Sequence, residues 1–134
     1  MNILLSDSWL RDFVKTKATP KQIAESLSLC SQSVERTIKS DHDYLYDIEI
    51  TTNRPDCLSV YGIARELAAV LPGFNLEAKL NPLPSFKIPK ASKELPLKVK
   101  IMDHSLCPRF TAMIFDSVII KPSPKIVQER LQKS

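Results

Sequence analysis

Residues 53 to 56 bring together three chemically different side chains: the amide of Asn53, the guanidinium of Arg54 and the carboxylate of Asp56. A loop with these groups can grip a phosphate or another protein chain, since a guanidinium makes charge-assisted hydrogen bonds to either. A purely structural interpretation is favoured: Asn53 pins a turn, Arg54 pairs with a nearby carboxylate, and Asp56 caps the next helix. Under either interpretation these residues are candidates for contact, not for catalysis.

Two tyrosines, Tyr44 and Tyr46, form a second candidate site together with Lys39. Aromatic rings beside a basic residue are typical of a platform on which the bases of a single-stranded nucleic acid stack. The two tyrosines share an alternating pattern with Ile48 and Ile50, however, which places all four on one face of a strand. Burial in a core or a subunit interface is therefore the preferred interpretation.

The cysteines predict neither a metal site nor a nucleophile. Cys30, Cys57 and Cys107 are widely spaced, and the chain has two histidines, His42 and His104. This spacing lacks the paired ligands of a structural zinc site, and the odd number does not imply disulfides. Asp56 precedes Cys57 and opposes formation of its thiolate, so a nucleophile is a poor interpretation.

The chain has two glycines, Gly62 and Gly73, and neither follows a strand in the way a phosphate-binding loop requires. We therefore predict no catalytic, cofactor-binding or metal-binding residue in this chain. Gly62 lies inside a predicted helix, where glycine costs up to about 1 kcal/mol relative to alanine. A crossing helix or strand packed closely against Gly62 is the simplest explanation.

Periodicity predicts an α+β fold for the first part of the chain. A short strand at residues 2–5 precedes a helix that ends near Val14. Thr19 and Gln22 then form a capping box for a second helix, and Pro20 suits its first position. Alternation then predicts two strands, joined as a hairpin through residues 40–43. The strongest helix follows, with its apolar face formed by Val60, Ile63, Ala64, Leu67 and Leu71.

The remaining residues divide into a linker and a second unit. Residues 75–96 contain four prolines and no sustained period, which is typical of a linker. Beyond them, residues 97–101 and 109–120 are predicted strands, and a helix after Pro124 is predicted to turn Ile126, Val127 and Leu131 inward. These elements cannot bury their apolar faces unaided, so we expect the chain to be a fragment of a larger protein.

Charge and hydropathy limit the partners. Residues 1–74 carry eight Lys and Arg against ten Asp and Glu, whereas residues 75–134 carry eleven against five. The basic excess is compatible with an RNA partner, but the lysines are scattered. No apolar run near the start is long enough for a signal peptide or a membrane span, so no membrane partner and a cytoplasmic location are expected.

A longer pattern resembles a known family. The run from Thr51 to Ala69, TTNRPDCLSVYGIARELAA, resembles a signature of the bacterial phenylalanine-tRNA ligase β subunits. Residues 5–11 resemble the opening strand and helix of that family, and residues 33–35 lie where it enters its first hairpin. The segment from Cys107 to Phe110 is similar to the entry into the module that edits mischarged tRNA.

The resemblance implies a winged-helix-like N-terminal domain at 1–74, a linker at 75–96, and the truncated beginning of the editing module at 97–134. It also implies an enzyme of two α and two β subunits that charges tRNA with phenylalanine using ATP and magnesium, with this fragment inactive by itself. Asn53, Arg54, Tyr44 and Tyr46 are then candidate contacts to a subunit or to tRNA. In the family an OB-fold precedes the Asn-Arg-Pro segment, and here it is missing.

Two other functions remain as alternatives. A stand-alone winged-helix module that binds nucleic acid would present Lys and Arg along its recognition helix, whereas the strongest helix offers Arg65 next to Glu66. A small hydrolase would use Cys57 or Cys107 with His104.

Overall fold

The structure is a computed structural model that describes residues 1–40, 42–85, 87 and 97–132. Within these residues the chain is mixed α+β, with four α-helices and five short strands in small antiparallel sheets. The α+β prediction is confirmed. Contacts divide the chain into two compact units, one formed by Met1–Pro84 and Ser123–Ser134 and the other by Ser85–Pro122.

The first sheet has three antiparallel strands in the order β1-β4-β3, where β1 is Asn2–Ser6, β3 is Ser33–Ser40 and β4 is Asp43–Glu49. The predicted hairpin is therefore confirmed. Its connection is shorter than expected, because Ser40 pairs with Asp43. A register shift between Val34 and Arg36 inserts one extra residue into β3, which is the signature of a β-bulge.

Two helices follow from the cap residues in the sequence. Helix α1 spans Asp7–Phe13, and the Ser6 side chain at its N-cap accepts a hydrogen bond from the Trp9 backbone N–H. Helix α2 spans Pro20–Cys30, and the capping box between Thr19 and Gln22 is present in both directions. Both caps satisfy backbone donors that the first helical turn leaves open.

Helix α3 spans Val60–Val70, and its cap corrects the sequence interpretation. Asp56 was predicted to cap this helix, but Ser59 does so, accepting from the Gly62 N–H at 3.0 Å. The reason is that Pro55–Cys57 forms a separate 3-10 turn, so the helix restarts at Ser59. After Val70 a second 3-10 turn, Leu71–Phe74, ends at Asn75, which adopts the left-handed conformation.

The core lies between the sheet and the three helices. The predicted face of α3 is confirmed, because Ile63, Ala64, Leu67 and Leu71 are buried and Val60 is half-buried. These side chains meet apolar residues from the sheet and from the first two helices, namely Leu5, Leu10, Val14, Ile23, Leu27, Tyr46, Ile48 and Ile50.

A short two-stranded ribbon was not predicted. It joins β2, Val14–Thr16, to β5, Ala78–Leu80, in antiparallel register. Strand β5 lies inside the range 75–96 that was predicted to be an irregular linker, and Leu76, Ala78 and Leu80 pack on the core. Three residues are too few for an alternating pattern to stand out in the sequence. The functional division at residues 74 and 96 stays a prediction, and residues 88–96 lie outside the described part.

The two strands predicted beyond the linker are wrong. Residues 97–101 and 109–120 were predicted to be strands, yet neither range contains one. A strand needs a partner for its backbone groups, and the described residues of this unit contain no paired strand. Their large apolar side chains are accordingly exposed, and Ile120 is 99% exposed.

The predicted last helix exists as α4, Lys125–Gln132, within the first unit. Its apolar residues were expected to face inward, but Ile126, Val127 and Leu131 are exposed. Contact is made instead through Arg130, which pairs with Asp12 and lies 5.1 Å from the centre of the Trp9 ring. Within the described residues, every helix is too short or too polar to span a membrane.

Candidate functional site

The candidate site is centred on the guanidinium of Arg54, at the start of the 3-10 turn before α3. Arg54 Nε donates to Asp56 Oδ1 at 3.0 Å, and Arg54 Nη2 donates to Asp56 Oδ2 at 2.9 Å. This is the planar, two-bond geometry in which arginine recognises a carboxylate most strongly. The predicted pairing of Arg54 with a nearby carboxylate is confirmed.

The same guanidinium connects the turn to two helices. Arg54 Nη2 donates to Glu66 Oε1 on α3 and lies 3.2 Å from Cys57 Sγ. The second oxygen of Glu66 accepts from Ser31 Oγ, just past the end of α2, at 2.7 Å. Arg54 and Glu66 therefore fasten the loop, α3 and the end of α2 to one another.

The charges at this cluster stabilise one another. Hydrogen bonds to Asp56 and Glu66 raise the pKa of Arg54. The bond from Arg54 lowers the pKa of Asp56 to about 2. Burial raises the pKa of Glu66, but the hydrogen bonds from Arg54 and Ser31 outweigh it, and the net pKa is lowered. All three groups are therefore ionised at neutral pH.

Cys57 lies inside this cluster but is poorly suited to nucleophilic chemistry. Burial raises the pKa of its thiol to about 11, although the positive charge of Arg54 opposes that shift. A thiol with so high a pKa holds little thiolate at neutral pH. In the alternative hydrolase hypothesis Cys107 would act with His104, but its Sγ donates to the Arg109 carbonyl, at 3.6 Å.

The ligand atoms of Asp56, Cys57 and Glu66 lie within 4.8 Å of one another, a spacing that a metal ion can span. Arg54 contacts all three of these residues. The positive charge that compensates the two carboxylates is thus supplied by the chain itself. The arrangement is therefore a salt-bridge network in which Arg54 neutralises Asp56 and Glu66.

The other predicted site residues do not join this cluster. Asn53 is exposed in a turn that is closed by the Arg54 N–H bonding to the Thr51 carbonyl at 3.0 Å. The expected pinning of the turn by the Asn53 side chain is not seen among the described residues. Tyr44 is half-buried at the other end of β4, opposite Lys39. Six residues of strand separate Tyr44, at the end of the hairpin, from the turn that contains Asn53, and six strand residues span about 20 Å.

Tyr46 is fully buried, as the preferred interpretation expected. Its hydroxyl donates to Asp7 Oδ1 at 2.6 Å, and Asp7 Oδ2 accepts from Arg11 Nε at 2.7 Å. Burial, together with the bond to Asp7, raises the pKa of Tyr46. A ring with no exposed surface cannot stack on a base, so Tyr46 is removed from the contact candidates in this structure.

Sequence reasoning missed several polar residues that hold the fold. Asp43 accepts from Ser6 Oγ and Ser8 Oγ at 2.6 Å each and from the Ser8 N–H at 2.9 Å, which fastens the hairpin to the start of α1. The spacing of Asp7 and Arg11, four apart, was a usable signal for an ion pair along a helix. No local signal pointed to the bonds that Asp43 makes with Ser6 and Ser8, because these two residues are more than thirty positions away in the chain.

Gly62 is required by a close approach of backbone. A Cβ at this position would lie 1.8 Å from the carbonyl oxygen of Asp56. The expectation of a packed neighbour is confirmed, but the neighbour is the 3-10 turn just before the helix, not a crossing helix or strand. Gly62 therefore allows the turn that carries Arg54 and Cys57 to lie directly on α3.

The sequence of this chain is similar to those of several known proteins. The chain is 35% identical over 103 residues to the phenylalanine-tRNA ligase β subunit of Carboxydothermus hydrogenoformans, covering 77% of this chain and 12% of the relative. With the β subunit of Rhodopirellula baltica the identity is 30% over 132 residues, 97% of this chain and 18% of the relative. With the β subunit of Thermotoga maritima the identity is 43% over 90 residues, which are 67% of this chain and 11% of the relative.

Neither a family model nor a solved structure matches the chain. The relatives share their name, and the matches cover most of this chain but a small share of each of them. This chain is therefore a homologue of the phenylalanine-tRNA ligase β subunits that spans about a tenth to a fifth of their length.

Proposed function

We propose that this chain serves as a structural, non-catalytic part of the β subunit of an enzyme that joins phenylalanine to its tRNA. The observation that carries the proposal is the identity of 30 to 43% to three β subunits. The geometry favours a structural role, because the charged groups of the candidate site form salt bridges with one another and so fasten a loop to two helices.

The chemistry of the whole enzyme lies outside the residues described. Charging a tRNA consumes ATP with magnesium, and we assign that step to the assembled enzyme rather than to this chain. Its partners would be the α subunit, in an assembly of two α and two β subunits, and the tRNA for phenylalanine. A cytoplasmic location follows from a role in protein synthesis.

The contacts to these partners would use the exposed candidates. Asn53 is exposed beside the Arg54 cluster and Tyr44 is half-buried at the hairpin, so both can reach a subunit or tRNA. Arg54 would act indirectly, since its hydrogen bonds set the conformation of the Asn53 turn. Tyr46 is left out because it is buried.

The architecture would be winged-helix-like, with α1, α2 and α3 as the helices and the β3–β4 hairpin as the wing. We further propose that residues 97–134 correspond to the start of the editing module. A stand-alone nucleic-acid reader is not favoured, because the relatives are ligase subunits and Arg65 on α3 stands beside the paired Glu66.

A chimeric β subunit tests the proposal. The matching segment of the Thermotoga maritima β subunit is replaced by this chain, and the product is expressed with its α subunit. We expect the chimera to bind the α subunit and to support charging of tRNA with phenylalanine, whereas this chain alone supports none. A folded chimera that fails to bind the α subunit would contradict the proposal.

The contact residues are tested in the same chimera. Asn53→Ala is expected to weaken binding of the α subunit or of tRNA, whereas Thr52→Ala, an exposed neighbour in the same turn, is the matched control. Equal affinities for both variants would remove Asn53 from the contact surface.

A further inference from the structure

The outer edge of β1 is open as far as the described residues go. β1 is an edge strand of the three-stranded sheet, and Met1 and Ile50 extend its ladder by exchanging two backbone hydrogen bonds, at 3.0 and 2.8 Å. Because bonded pairs alternate in antiparallel sheets, Ile3 also points its backbone groups toward β4, and Asn2 and Leu4 point theirs away. In the part of the chain that the structure describes, no strand pairs with this edge.

An apolar groove runs along this edge. It has a volume of about 600 Å³, and its walls are β1, the side of α1 with Trp9 and Phe13, and the start of α3 with Leu58 and Val60. Among the described residues, those that line the groove carry no charged side chain. Leu4 is 48% exposed and Leu58 is 42% exposed, so the groove presents apolar surface to water.

The two edges of the sheet differ in their protection. The opposite edge, β3, carries Glu35, Arg36 and Lys39 and contains the β-bulge, features that prevent another strand from pairing. Strand β1 has the sequence NILLS, with no charge, proline or bulge. The same sheet therefore blocks one edge and leaves the other able to accept a strand.

We propose that the β1 groove binds an extended, uncharged, apolar segment that adds a fourth strand to the sheet, supplied by the remaining part of the same β-subunit polypeptide. An extended segment fits because only a strand matches the free backbone groups of Asn2 and Leu4. An uncharged segment fits because the described lining residues are all uncharged. The source rests on the proposed function, since the relatives extend far beyond the 11 or 12% of their length that this chain covers.

Trp9 provides a direct probe, because it is the chain's single tryptophan and lines the groove. The 134-residue chain is titrated with short overlapping peptides that cover the rest of the Thermotoga maritima β subunit. We expect one peptide, or adjoining peptides that share one apolar stretch, to shift the Trp9 emission to shorter wavelength and to slow hydrogen exchange of the Leu4 amide.

Two matched variants locate the binding. Leu4→Lys places a charge on the open edge and is expected to weaken peptide binding by at least about tenfold. Ile38→Lys makes the same change on β3, at a residue 41% exposed, and is expected to leave binding unchanged. Circular dichroism checks that both variants fold, and the Leu4 exchange measurement in the unaltered chain does not depend on either.

Three results would overturn the proposal: no peptide binds, binding is indifferent to Leu4→Lys in a folded variant, or sedimentation shows the chain pairing with a second copy through β1. A chimera that binds the α subunit while no peptide binds the groove would refute the groove alone and leave the proposed function standing.

Discussion

The block from Thr51 to Leu71 and the second unit, Ser85–Pro122, both contain many apolar residues, but these residues are largely buried in one region and largely exposed in the other. In the first, the apolar face of α3 is buried against two helices and a sheet, and a salt-bridge network closes the loop above it. In the second, the described apolar side chains are largely exposed, and the two predicted strand segments form no strand. An apolar pattern therefore specifies which face of an element can be buried. Whether that element forms depends on a partner that packs against this face.

The sharpest contrast is between a buried and an exposed aliphatic residue. Leu67→Ala should lower the free energy of unfolding by about 2 to 5 kcal/mol, because it opens a cavity among fully buried neighbours. Ile120→Ala, at a residue 99% exposed, should change it by less than about 0.5 kcal/mol. Urea unfolding of both variants measures this, and similar losses would erase the distinction between the two regions.

Gly62 provides the next largest effect. Gly62→Ala should cost about 3 kcal/mol, because the new Cβ would meet the backbone carbonyl of Asp56, which cannot move without displacing the turn. Gly73→Ala is the matched control, since a Cβ there meets no atom of the described residues within 4 Å, and it should be neutral or stabilise by up to about 1 kcal/mol. Thermal unfolding distinguishes the two, and a neutral Gly62→Ala would mean that the turn does not lie on α3.

The closure of the block is tested with two glutamates. Glu66→Ala removes the acceptor of Arg54 and Ser31 and should cost about 1 to 2 kcal/mol, a value reduced by partial exposure to solvent. Glu25→Ala removes an exposed partner of Lys21, 3.7 Å away, and should cost less than about 0.5 kcal/mol. Equal effects in chemical unfolding would indicate that the Arg54 network is only a surface feature.

A smaller effect concerns pH. Partial burial raises the pKa of Asp43, but hydrogen bonds from Ser6, Ser8 and Tyr44 outweigh it and lower the value to about 2. A carboxyl whose pKa is depressed by folding stabilises the protein above its unfolded pKa, about 4, and loses that contribution as pH falls toward 2. Solvent screening keeps the contribution below about 1 kcal/mol. Asp43→Asn should therefore flatten the stability profile between pH 4 and 2 relative to the unaltered chain.

Local signals predicted the first region well. The capping box at Thr19 and Gln22, the hairpin and the buried face of α3 follow from residues close in sequence, and all are found. The cap of α3 was misassigned to Asp56, because a 3-10 turn and a helical first turn offer similar carboxylate and hydroxyl signals a few residues apart.

What the sequence could not supply were partners distant along the chain. The pairing of Arg54 with Glu66 spans twelve residues and that of Tyr46 with Asp7 spans thirty-nine, so neither has a local pattern. The strands predicted at residues 97–101, from alternation, and at 109–120, from a β-rich apolar run, fail for the same reason. Neither pattern can say whether a neighbouring strand is present to complete the ladder.

The Thr51–Leu71 block is closed and unreactive, and thiol alkylation tests this property most directly. With iodoacetamide at neutral pH, exposed Cys30 should react quickly, whereas buried Cys57, with its pKa raised to about 11, should react only after the chain is unfolded by denaturant. Mass spectrometry of the labelled peptides over time gives both rates from one sample. Alkylation of Cys57 in the folded chain as fast as that of Cys30 would contradict the account.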